Sequence, residues 1–122
     1  MTTIKSYTDV AQSKTLSNIL PFESADGTWV ERTNLEVKYS HSELPFWLYG
    51  GLGIPSWSLA ALLDVLPILD NRSPVIPKTF DGKYRVTYHS TAYEKAILTS
   101  DYDNPIDACV AMIEKLHELN LL

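Results

Sequence analysis

Only one cysteine occurs in the chain, Cys109, which excludes an intramolecular disulfide and removes any need for an oxidising compartment. Its place in an apolar helical pattern predicts a small buried hydrophobe rather than an exposed reactive thiol. Basic residues are scarce as well: ten Lys and Arg stand against fifteen Asp and Glu, a formal net charge of −5. That balance disfavours nucleic acid as the main partner, because neutralising phosphates needs clustered cations. No stretch approaches the roughly 20 consecutive apolar residues of a membrane span. The leading MTTIKSYTDVAQSK has no apolar signal-peptide core, so a cytoplasmic location away from membranes is expected. Linkers, low-complexity tracts and charge blocks are also missing, and residues 1–122 are expected to form one domain.

What the chain does contain is patterned. Hydrophobic residues make up 45% and charged residues 20%, enough apolar material for a core and too little charge to keep the chain unfolded. In DNPIDACVAMIEKLHELNLL, Asn104 caps a helix, Pro105 suits its first turn, and Asp107 meets the exposed amides. Ile106, Cys109, Val110, Ile113 and Leu116 then recur on one helical face. IPSWSLAALLDVLP predicts a second helix, capped by Ser56 or Ser58, striped by Leu59, Leu62, Leu63 and Leu66, and ended by Pro67. With Asp64 as its only charge, that helix should be covered on more than one side. A third helix is read from about Thr8 to Leu20, on its stop at Pro21 rather than on its poor periodicity.

Strand patterns lie between these helices. In TFDGKYRVTYH, Asp81 and Gly82 supply a tight turn; Tyr84, Val86 and Tyr88 share one face, and Lys83, Arg85, Thr87 and His89 the other. YEKAILT, residues 93–99, continues the meander. Earlier, GTWVE and LEVKY alternate around Thr33-Asn34, and PFWLY, residues 45–49, gives a further strand. The fold class is therefore α+β, with antiparallel sheet and about three helices in the order helix, three strands, helix, three strands, helix. Aligning Pro55 with Pro105 sets Ala61 over Ala111, Leu62 over Met112 and Asp64 over Glu114. An internal pseudo-repeat with halves 22–67 and 75–122 would explain this match, and so would the general likeness of two capped amphipathic helices.

No constellation selects a chemistry. Gly50, Gly51 and Gly53 lie between a strand and a helix start, where free amides can hold an anion. No Lys-Ser or Lys-Thr follows them, however, and Ser56 stands where a dinucleotide fingerprint needs its third glycine. His41, His89 and His117 have no metal-ligand spacing, so neither a metal nor a cofactor is expected. Ser56, Ser58, Ser90 and Ser100 lie outside any GxSxG turn. Trp29, Trp47, Trp57, Tyr49, Tyr84 and Tyr88 suit a core or a stacking platform. LPFWLYGGLGIPSW is more apolar than a connection requires, which makes Phe46, Trp47, Tyr49 and Trp57 a candidate interface. The Lys83, Arg85 and His89 face is a second candidate.

IPSWSLAALLDVLP, DNPIDACVAMIEKLHELNLL and the pair AQSKTL with SADGTW resemble a family of short uncharacterised proteins from gut anaerobic bacteria and their prophages or mobile elements. The resemblance covers about half the chain. It implies a bacterial or phage origin and an intracellular location, and it brings no catalytic residues. Taken with the residues, it leads to the expectation of a non-enzymatic interaction or accessory protein, working as a homo-oligomer or on a host or phage protein. The alternative is a small enzyme or ligand-binding domain with a pocket near His41, Glu43, His89 and Asp101.

Overall fold

The C-terminal helix organises the molecule. In the computed structural model, which describes residues 5–31, 39–45, 53–69, 72–89 and 96–122, the elements run α1 (Val10–Ser17), a 3-10 turn (Phe22–Ser24), β1 (Gly27–Glu31), β2 (Tyr39–Ser42), β3 (Ile54–Ser56), α2 (Leu59–Val65), β4 (Thr87–Tyr88), β5 (Ile97–Leu98) and α3 (Pro105–Glu118). Asn104 caps α3 by accepting from the Asp107 amide, with Pro105 in the first turn, as the residue types dictate. At its other end Asn120 takes φ +57. The Leu121 amide then bonds the Leu116 carbonyl and the Asn120 amide bonds that of His117, a left-handed cap that satisfies carbonyls the helix cannot. Ile106, Ala108, Cys109, Val110, Met112, Ile113 and Leu116 are all buried. That is wider than one stripe because α1, α2 and the second sheet all close on this helix.

The fold class is α+β, with three helices and two antiparallel sheets. The first sheet has the order β2-β1-β3, with Trp29 opposite both His41 and Ile54. PFWLY lies outside the described residues apart from Pro45; β1 is flanked by β2 on one edge and by Ile54–Ser56 on the other. In the second sheet β4 pairs with β5. Tyr84 bridges Tyr102 on that side and Lys78 on the other, and Val75 bridges Thr87. The 75–79 segment stays at isolated bridges because Pro74 and Pro77 have no amide to give a continuous ladder. The two sheets are also wired differently. The strand earliest in sequence is central in the first, whereas in the second the middle segment is central.

Helix α2 starts at Ser58, whose hydroxyl accepts from the Ala61 amide. It buries Leu62, with Leu66 behind it, against α3. Its covering is less complete than its composition suggests, since Leu63 is 41% exposed. Helix α1 has almost no apolar periodicity and is held by polar chemistry instead. Asp9 accepts from the Gln12 amide while the Gln12 side chain accepts from the Asp9 amide, a reciprocal cap that satisfies both donors. Its buried residues are Leu16 and Ser13, the latter 2.8 Å from the Thr8 hydroxyl.

Asp107 ties the two ends of the chain together. Its Oδ1 accepts from Lys5 Nζ at 2.7 Å and Gln12 Nε2 at 2.6 Å, and its Oδ2 from Asn104 Nδ2 at 2.7 Å. Burial pulls the carboxyl upward, but these bonds outweigh it and hold Asp107 below the ordinary carboxylate range. A carboxylate depressed in the folded state adds stability that is complete above its unfolded pKa and lost as the pH falls through the folded value. Asp107→Asn should therefore cost about 1–3 kcal/mol at pH 7. Urea melts run at decreasing pH should show that difference closing below about pH 4, the ordinary carboxylate range.

Candidate functional site

Thr8 is the point from which the first cleft is built. Its amide donates to the Trp57 carbonyl at 2.9 Å. Its hydroxyl accepts from the Trp57 amide at 3.1 Å, and its carbonyl accepts from Trp29 Nε1 at 2.9 Å. With Thr8 fully buried and the backbone extended, its neighbours Tyr7 and Asp9 are turned outward. Tyr7 then pairs with Ser58 and lays its ring on His41, with centroids 4.1 Å apart. Trp29 meets the same imidazole edge-on at 4.8 Å. Lys5, Ser6, Tyr7, Asp9, Trp29 and His41 line a cleft of about 340 Å³.

His41 is fixed from behind. Its Nε2 lies 2.7 Å from the Ser56 hydroxyl, one donating and the other accepting according to tautomer. The pair sits against Gly27, where an added Cβ would come within 2.5 Å of Ser56 Oγ and 2.9 Å of His41 Nε2. A glycine on the central strand is thus the space in which β2 and β3 exchange this bond. Asp26 sits next in sequence. It accepts from the Ser58 amide at 2.8 Å and makes a very short bond to the Ser58 hydroxyl, so β1 is pinned to the start of α2. Burial lowers the His41 pKa despite the opposing charges of Glu43 and Asp26. Burial also raises that of Tyr7, with Asp26 and Glu43 adding to the effect. At neutral pH the cleft wall is therefore a neutral imidazole between a neutral phenol and an indole.

A hydroxyl 2.7 Å from an imidazole has the outline of a nucleophile and its base. Ser56 is fully buried, however, and in this arrangement its oxygen has no face toward the cleft. Of the four residues expected around a pocket, His41 lines this cleft, and Glu43 is exposed and close enough to act on it electrostatically. Asp101 lines a different groove of about 560 Å³. His89 is exposed beyond β4, its carbonyl accepting from Arg72 at 2.6 Å. The four do not meet in one cavity. The larger groove also holds Arg85 and Lys115, both already engaged. Arg85 faces Asp101 with Nε 2.8 Å from Oδ1 and Nη2 3.3 Å from Oδ2, the Nε contact being one of charge rather than an aligned hydrogen bond. Lys115 donates to the Leu98 carbonyl at 2.8 Å. Among the described residues, no group of three or more His, Cys, Asp or Glu could hold a metal ion, and no helix is long and apolar enough to cross a membrane.

Trp57, expected at an interface, is a core residue instead. It is 0% exposed, and its indole N–H donates to Ser24 Oγ at 2.9 Å, so it offers no surface to a partner. Phe46, Trp47, Tyr49, Gly50 and Gly51 lie outside the described residues. Gly53 has a structural reason of its own. Its φ is +104, and a Cβ there would come within 2.7 Å of the Trp29 carbonyl, so only glycine lets β3 approach β1. The residues that sequence reasoning missed are Lys5, Tyr7 and Asp9, which stand in a stretch without periodicity. Trp29, one of the aromatic residues suited to a core or a stacking platform, lines the cleft.

Gly27→Ala should destabilise the fold by about 1–3 kcal/mol, the usual cost of overpacking a filled site. Adding Ser56→Ala should recover part of this, read by chemical denaturation. His41 should titrate by NMR with a midpoint below 6.5. Because its folded pKa is lowered, its contribution to stability is complete above about pH 6.5 and fades as the pH falls through the lower value. No family model, no curated protein and no solved structure matches this chain.

Proposed function

We propose that the chain is a non-enzymatic interaction protein that receives an aromatic side chain of a protein partner in the cleft of Tyr7, Trp29 and His41. The observation that carries this reading is the meeting of three rings around about 340 Å³ of open space. Such walls reward an inserted ring by stacking and edge contacts beyond simple burial. The groups around them are occupied in ways that suit binding better than bond-breaking. Ser56 is buried behind His41, and Lys5 is held by Asp9, Gln12 and Asp107. The likeness to short proteins of gut anaerobes and their mobile elements supports an accessory role for a phage or mobile element, inside the bacterial cell.

Short peptides with a central Phe, Tyr or Trp, titrated into the labelled protein, should shift the His41 ring resonances saturably. Peptides with Ala at the same position should leave them unmoved. Tyr7→Ala, which removes one wall, should weaken binding at least about tenfold, equivalent to about 1.4 kcal/mol. If the aromatic peptides leave His41 unperturbed at millimolar concentration, the cleft is not a recognition site.

A further inference from the structure

The turn from Thr79 to Lys83 presents Phe80 wholly to solvent, the most exposed of the large hydrophobic residues described. The turn is not loose. The Thr79 amide donates to the Lys83 carbonyl at 2.6 Å, the Gly82 amide to the Thr79 carbonyl at 3.0 Å, and the Lys83 amide to the Thr79 hydroxyl at 2.9 Å. Gly82 takes φ +82, a left-handed conformation that favours glycine, and Lys83 is tied to Asp103 at 2.6 Å. A large apolar ring is thus held out by a braced hairpin, which lowers the ordering cost of inserting it elsewhere. Among the described residues nothing covers it.

We infer that Phe80 of one copy docks in the Tyr7, Trp29 and His41 cleft of a second copy, so that the protein associates with itself head to tail. The inference rests on the aromatic-receiving cleft proposed above and names its occupant. One molecule carries both halves of the contact: Phe80, more exposed than Phe22, the other exposed phenylalanine among the described residues, and the ring-lined cleft. Charge supports the pairing. Beside Phe80 stand Asp81, whose charge is opposed by those of Lys83 and Arg85, and the exposed Lys78, its ammonium 5.8 Å over the Tyr84 ring. Lys5 and Asp9 line the receiving cleft as an ion pair, and the Asp26 and Glu43 carboxylates, close enough to act on its Tyr7 and His41, give the surroundings their acidic excess. The finger belongs to the second sheet and the cleft to the first, so the contact uses two different surfaces. It is heterologous, and it leads to rings or open chains rather than a two-fold dimer. One anchoring ring makes a small interface, so the association is weak and transient, with Kd on the order of 0.1–1 mM.

Sedimentation velocity up to about 1 mM protein should show a mass that rises with concentration and falls with added salt. Phe80→Ser, at a site that touches nothing, and Tyr7→Ala, checked by circular dichroism for folding, should each stay monomeric. An equimolar mixture of the two has one intact finger and one intact cleft. It should associate again and stop at the dimer. A wild-type monomer throughout this range overturns self-docking, as does a Phe80→Ser variant that associates like the parent. A mixture that stays monomeric overturns it too, since that outcome belongs to a symmetric contact between like surfaces. If aromatic peptides nevertheless move the His41 signals, the cleft reading stands and its occupant is a different protein. If they do not, both readings fall.

Discussion

Thr8 has no exposed surface and no unused polar group. Its amide, carbonyl and hydroxyl are all spent on two tryptophans, one on the central strand of the first sheet and one at the start of α2. A buried backbone segment survives only if its donors and acceptors are met. Meeting them at Thr8 fixes the path of the residues on either side. Tyr7 becomes a cleft wall and Asp9 becomes the cap of α1. The aromatic cleft is therefore a by-product of polar satisfaction, and its shape follows from one residue that never touches its interior.

Around that point the molecule divides its labour. Helix α3 gathers the apolar core, with Leu16 from α1, Leu62 and Leu66 from α2, and Val86 and Tyr88 from the second sheet. Burial pushes the Cys109 thiol up to about 12, so it stays protonated and inert in the interior. Tyr88 is likewise pushed to about 12, by burial and by Cys109, while its hydroxyl donates to the Pro67 carbonyl at 2.6 Å. The first sheet contributes little to this core. It instead sets His41 opposite Trp29 and Ser56 opposite Gly27, and the room beside Gly27 is what lets the imidazole reach the hydroxyl.

The sequence disclosed whatever rests on repetition. Asn104, Pro105 and the run from Ile106 to Leu116 gave α3 almost residue by residue, because capping and a 3.6-residue period are local properties. Ser58 rather than Ser56 caps α2, a choice that local rules leave open and that His41, fifteen positions away, decides. The α+β class followed from helices alternating with two-residue periodicity. The wiring of the sheets did not, since strand order depends on which edges find partners. The cleft was least legible of all. Lys5, Tyr7 and Asp9 gain their roles only through bonds to Trp57, Trp29 and Asp107, and no pattern within their own stretch announces those distant partners.

The bond between Lys5 and Asp107 joins positions 102 residues apart. A contact that closes so long a loop carries a high entropic cost and forms after the local helices do. Losing it would loosen Lys5 and still leave the Tyr7 wall in place, because Thr8 stays bonded to Trp57 and Trp29.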